Sequence, residues 1–305
     1  MLFKTTDKAS GKVLRTSRPL LVTPQQAYVR PSQGDKDWWQ STTTVWQVDE
    51  YIKRRVRDWR RLTGETGHDG ERNQTFRKDH DSSYTGTHSV FPAPLMEMIL
   101  VRYGGVPGIP SAGTGSRILD AFAGGPPRGL VSTIMGHRYV GVEIRQEQIN
   151  ENEALLKRLK LKGAEYVLGD GRFLDVDDLF DAAITCPPYH NLEVYSELPE
   201  DISNFSTYSE FNSAMWLCAN SHRRLMKPGA FVCIIVGLFR DKKTGELIDF
   251  PADTVQNFKE AGFIYWQHII LSKNFASAAV RAGNAWKGAK LVPRHESLLI
   301  FRTPE

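Results

Sequence analysis

Four short apolar runs in the middle of this chain each stop at a tip marked by Gly, Pro or an acidic residue, and that repetition restricts the fold more than any other feature. Arg117 to Ala121 leads into Gly124-Gly125-Pro126-Pro127, and Tyr139 to Val142 ends in Glu143. Glu165 to Leu168 ends in Gly169-Asp170-Gly171, and Ala183-Ile184-Thr185 ends in Cys186-Pro187-Pro188-Tyr189. Runs of this length, bounded by turn residues, read as buried strands. The expected order is strand, Gly-rich loop, helix, strand with Glu143, helix (Gln146 to Leu159), strand with Asp170, helix, and strand with the double proline. Such alternation defines an α/β fold around a parallel sheet. Ligands bind such sheets in the crevice at the carboxyl ends of the strands, so all four tips fall on one functional edge.

The residues at the tips suit a nucleoside. Glycines let the backbone approach a ligand closely, and a helix beginning near Arg128 or Gly129 presents amides and a positive dipole end to a carboxylate. Glu143 lies about 20 residues beyond the loop, the spacing at which a strand-tip acid accepts both hydroxyls of a ribose. Asp170 is placed to bond an adenine amino group. The plain alternatives are a surface Glu opening a helix and a generic Gly-Asp-Gly turn. At the fourth tip, proline lacks the amide proton that a further ladder bond needs, so the strand stops abruptly and residues 186 to 189 project from a rigid corner.

Cys186-Pro187-Pro188-Tyr189, together with the Asp120-x-Phe122-x-Gly124 run, resembles the DNA amino-methyltransferases, with cysteine where that family usually has Asp, Asn or Ser. The sequence is most similar to a phage or prophage group of these enzymes, matched also by Leu192 to Ser196, Asp120 to Gly125 and Arg128-Gly129. The resemblance implies a Rossmann-like methyltransferase sheet, mostly parallel with a reversed edge strand, the reversed strand coming from the final pair Phe263 to Leu271 and His295 to Phe301. It implies S-adenosylmethionine as cofactor, held by Phe91, Asp120, Phe122, Gly124, Gly125, Glu143 and Asp170, with Asp120 facing the amino group of the methionine moiety. Catalysis falls to Cys186, Pro187, Pro188 and Tyr189. An exocyclic amine is a poor nucleophile because its lone pair is delocalised into the ring. The Pro187 carbonyl and the side chain at 186 would accept its protons, while Tyr189 stacks an extruded base. The implied reaction is methylation of cytosine or adenine in DNA. Two alternatives remain open: methylation of a pyrimidine ring carbon with Cys186 as nucleophile, and a non-catalytic DNA-binding subunit that keeps the fold.

Residues 1–87 form a basic amino-terminal extension that either contacts DNA or caps the core, and 88–305 form the methyltransferase domain. In the extension, Val48 to Leu62 reads as a helix carrying Arg54 and Arg57, and Trp38, Trp39 and Trp46 read as packing residues. Within the domain, 272–294 is a basic insertion with Lys273, Arg281, Lys287 and Lys290 and no acidic residue, suited to a phosphate backbone. A net charge of +4 permits a polyanionic partner without requiring one. Three cysteines are too few for a disulfide framework and lack metal-ligand spacing. No apolar run approaches the roughly 18 residues of a membrane span, and the first residues lack a signal peptide's apolar segment. The expectation is therefore a metal-free cytoplasmic protein of a bacterial or phage-infected cell, working on DNA as a homodimer or with a partner subunit.

Overall fold

The computed structural model describes residues 44–47, 91–105, 115–192, 195–272, 285–286 and 288–305. Its strands are β1 (Val45–Gln47), β2 (Arg117–Asp120), β3 (Arg138–Glu143), β4 (Ala164–Leu168), β5 (Phe180–Thr185), β6 (Met226–Val236), β7 (Phe239–Arg240), β8 (Leu247–Ile248), β9 (Ile264–Ser272) and β10 (His295–Arg302). The α-helices are α1 (Ala93–Tyr103), α2 (Pro127–Ile134), α3 (Gln146–Arg158), α4 (Tyr208–Leu225) and α5 (Phe250–Glu260).

Successive residues of a strand point to opposite faces of its sheet, and here both faces are covered. Ile118, Ala182, Ile184, Cys233 and Ile300 pack with α1, α2 and α3 on one side. Leu119, Ala183, Val232, Ile234 and Phe301 pack with α4 and α5 on the other. This double burial explains why Ala230 to Val236 reads as one continuous apolar run. The main sheet has the order β1-β9-β10-β6-β5-β2-β3-β4. β6, β5, β2, β3 and β4 are parallel neighbours. β10 runs antiparallel to β6 and to β9. The reversed strand, expected at the edge, is thus inserted inside it, because β9 continues the parallel direction beyond β10.

Three further differences from the sequence expectation have physical reasons. No helix lies between β4 and β5: residues 169–179 cross in turns and irregular backbone. Ser221 donates to the Arg172 carbonyl and Arg224 to the Leu174 carbonyl, so this crossover lies along α4. Secondly, β6 begins at Met226 rather than Ala230, with a register shift that absorbs Pro228 and Gly229, the latter at φ +70°. Thirdly, Val45–Gln47 adds a parallel strand to β9, so part of the amino-terminal extension builds the sheet, and Trp46 is fully buried in the core. The expected helix at 48–62 lies outside the described residues.

Helix starts follow local chemistry. Pro126 takes the N-cap of α2 and Pro127 its first turn, where a missing N–H costs nothing. The double proline in the loop is therefore a helix start. α4 opens with a capping box between Thr207 and Glu210. Among the described residues no helix is long and apolar enough to cross a membrane.

Candidate active site

The tips of β2, β3, β4 and β5 lie at one edge, and Asp120 at the β2 tip ties that strand to β3 through Tyr139 and to β5 through Thr185. Asp120 is fully buried. Its Oδ1 accepts from Thr185 Oγ1 at 2.7 Å and from the Phe122 amide at 3.2 Å. Its Oδ2 accepts from Tyr139 Oη at 2.7 Å and from Arg128 Nε at 2.5 Å. The carboxylate expected to face a methionine amino group is thus turned inward, under the loop, where four protein donors hold it. Burial works against the Arg128 charge, yet Asp120 foremost, then Tyr139 and Cys186, hold its pKa above the ordinary guanidinium value. The same side chain donates through Nη2 to the carbonyls of Phe122 and of Ala123, the latter at 2.9 Å.

Gly124 takes φ +50°, a left-handed conformation that favours glycine. Its amide donates to Glu143 Oε2 at 2.9 Å and its carbonyl accepts from Asn152 at 2.8 Å. Glu143 therefore ties the β3 tip to the loop, and its other oxygen accepts the Arg145 amide at 3.0 Å. Burial raises its pKa, partly opposed by Arg145 and the amide of Gly124. Gly125 is exposed at the loop's outer end. Phe91 is half-buried, its ring 4.9 Å from the Arg128 guanidinium carbon.

Asp170 stands next to Glu143, since the Gly169 amide donates to the Glu143 carbonyl at 3.0 Å. Both Asp170 oxygens accept from Arg172, with a shortest contact of 2.6 Å. Arg172 in turn lies over the rings of Phe173 and Phe205. Gly171 permits close packing of this turn on the loop: a Cβ there would meet the Ala121 carbonyl at 2.7 Å and the Phe122 ring at 2.9 Å.

At the fourth tip, Cys186 and Pro188 are half-buried and Pro187 is buried. Tyr189 is half-buried, its ring held edge-to-face by Phe239 at 5.6 Å and Phe250 at 5.7 Å. Gly237 makes room for its hydroxyl, which lies 3.0 Å from where a Cβ would stand. His190 is buried, its Nε2 donating to the Phe205 carbonyl at 2.8 Å, so it braces the following loop. Cys218 and Cys233 are buried core residues, as their positions in α4 and β6 suggest.

Of the basic residues expected to meet nucleic acid, Lys290 is exposed, its Nζ beside Gly245 in the turn between β7 and β8. Arg54, Arg57, Lys273, Arg281 and Lys287 lie outside the described residues. No group of His, Cys, Asp and Glu suited to a metal ion occurs among the described residues. Sequence reasoning missed the role of Arg128. A cation in the first turn opposes the helix dipole, and such a misplaced charge signals a buried carboxylate partner.

A doubly covered, mostly parallel sheet with one reversed strand inserted beside its end defines the Rossmann-like methyltransferase fold class. Residues 180–305 match the family model described as DNA methylase, which supports an amino-methyltransferase with S-adenosylmethionine as its methyl donor. No curated protein matches the sequence. Among solved structures, TrmN from Thermus thermophilus is similar at 14% identity and a TM-score of 0.47, over 70% of this chain and 49% of TrmN. The chain thus spans about half of TrmN. An S-adenosylmethionine-dependent methyltransferase from Methanosarcina mazei is similar at 15% identity and a TM-score of 0.43, over 62% of this chain and 92% of its own. The N-methyltransferase NodS from Bradyrhizobium japonicum is similar at 14% identity and a TM-score of 0.41, over 64% and 89%.

Proposed function

We propose that this chain transfers a methyl group from S-adenosylmethionine to an exocyclic amino group of cytosine or adenine in DNA. The observation that carries this reading is the 2.7 Å hydrogen bond from Thr185 to Asp120, which fastens the Cys-Pro-Pro-Tyr corner to the Gly-rich loop. The residues present fit the cofactor. Neighbouring tips of a parallel sheet stand about 4.8 Å apart, so Glu143 and Asp170 offer two acids within the span of one nucleoside. The loop from Phe122 to Gly125 lies on one side of them, with Phe91 beyond. S-adenosylmethionine, when bound, supplies a methyl group already activated by its sulfonium charge.

The chain's own part is positioning, which alone can lower a barrier by several kcal/mol. Glu143 would accept the ribose hydroxyls and Asp170 the adenine amine, the latter in competition with Arg172. The Pro187 carbonyl would accept a proton of the target amine and localise its lone pair. A neutral thiol accepts weakly, so Pro187 carries the orientation and Cys186 shapes the corner. Tyr189, fixed by Phe239 and Phe250, would stack the extruded base, a contact contributing roughly 1 to 3 kcal/mol.

A second reading has one observation in its favour: Cys186 is a half-buried cysteine at the corner itself, where a thiolate could act as a nucleophile. Attack on a pyrimidine ring carbon would then direct the methyl group to carbon. Incubation with S-adenosylmethionine and mixed-sequence DNA, followed by mass analysis of the nucleosides, tests the first reading, and Cys186→Ser separates the two. Retained methylation in that variant excludes covalent catalysis, whereas unmodified nucleosides from the wild type refute DNA methylation.

A further inference from the structure

We propose that Arg128 is the positioning residue of the methyl-donor loop, coupled through Asp120 to the strand end that bears Cys186; this rests on the function proposed above. One buried guanidinium holds three acceptors from two directions: the Asp120 carboxylate, the Phe122 carbonyl and the Ala123 carbonyl. Arg128 is 5% exposed and Asp120 is fully buried, so the pair acts through the backbone it holds rather than by touching a ligand.

Arg128 holds these peptides from the carbonyl side, while other groups hold their amides. The amides of Phe122, Ala123 and Gly124 are spent on Asp120, the Val142 carbonyl and Glu143, and Pro126 and Pro127 have none. A planar fork satisfies a carboxylate and two carbonyls together, which the flexible point charge of lysine does not reproduce. Asp120 then passes the constraint on, because its other oxygen accepts from Thr185, the residue before Cys186. Donor loop and acceptor corner therefore share one buried ion pair: the Arg128 fork acts at Asp120 Oδ2, whereas Thr185 acts at Oδ1, where the Phe122 amide also bonds. That predicts separable defects.

The test is titration calorimetry with S-adenosylhomocysteine, together with steady-state methylation of DNA, on wild type, Arg128→Lys and Thr185→Val. Arg128→Lys should weaken binding by about tenfold or more and raise KM for the cofactor, with kcat within about threefold at saturation. Thr185→Val should bind within about twofold of wild type and lose about fivefold or more in kcat. An Arg128→Lys protein that binds like wild type, or two variants with the same loss in binding and turnover, overturns the proposal. If Arg128→Lys does not fold, Asp120→Asn must show the same rise in KM, and an unchanged KM overturns it. A wild type that does not bind S-adenosylhomocysteine refutes the cofactor reading instead. In that case the positioning role stands or falls on whether Arg128→Lys speeds hydrogen exchange at residues 122–124.

Discussion

Asp120 and Thr185 lie 65 positions apart in sequence on neighbouring strands, and their side chains meet at 2.7 Å at the sheet's carboxyl edge. Around this contact Tyr139 and Arg128 complete a buried cluster in which three side chains donate to one carboxylate. The cluster stands between the loop that would hold the methyl donor and the corner that would hold its acceptor.

Tyr139 tests the cluster's stability. Its hydroxyl is buried against Asp120, and burial together with that carboxylate holds its pKa well above the usual phenol value, so it stays a donor. Tyr139→Phe removes one hydrogen bond to a charged group, worth roughly 1.5 to 3 kcal/mol. Urea unfolding should show a loss of that size with the m-value unchanged.

Gly171 tests the packing of the Asp170 turn on the loop. In Gly171→Ala the new methyl would stand 2.7 Å from the Ala121 carbonyl and 2.9 Å from the Phe122 ring. Overpacking of this kind costs about 1 to 3 kcal/mol. Calorimetry should also show weaker cofactor binding, because the atoms displaced belong to the loop.

Glu143 accepts an amide with each oxygen, so Glu143→Gln would turn an NH2 group toward the Gly124 or the Arg145 amide. Cofactor affinity should fall by about tenfold, equivalent to roughly 1.4 kcal/mol. Since burial raises its pKa, the wild-type carboxylate is protonated at a higher pH than an ordinary Glu. Cofactor binding should accordingly weaken on acidification above the usual Glu range, a pH dependence that Glu143→Gln lacks.

His137, at the opposite edge of the sheet, governs acid stability. It is 2% exposed, neither ring nitrogen has a hydrogen-bond partner among the described residues, and burial pushes its pKa down to about 4. The unfolded chain, with an ordinary value near 6.5, binds the proton more readily. The folded state is therefore favoured fully above about pH 6.5 and loses that advantage as pH falls toward 4, a change on the order of 3 kcal/mol. His222, also buried with a lowered pKa, adds in the same direction. Chemical unfolding of His137→Leu between pH 4 and 7 should show a shallower decline than wild type.

The strand tips at the carboxyl edge were legible because each strand there is a short apolar run ended by a residue with one conformational job, as at Glu143 and Pro187. Helix α3 was legible from its place in the strand-helix alternation, within a residue of its observed end. The β4–β5 crossover was not: alternation suggested a helix where the acids at 175, 177 and 178 leave little apolar face, and Arg117 draws Asp178 and Asp181 to itself instead. Nor was β1, three residues whose strand character comes from pairing with residues 270–272. The sequence placed Asp120 at the end of β2 but could not show which way its carboxylate turns. That depends on Tyr139 and Thr185, brought beside it only by the strand order.

The most direct test is to follow the transferred carbon. DNA treated with wild-type protein and S-adenosylmethionine carrying a carbon-13 methyl group is digested to nucleosides and examined by NMR. The account predicts the label on the exocyclic nitrogen of cytosine or adenine. Label on a ring carbon, or none in DNA while the protein binds the cofactor, would contradict it.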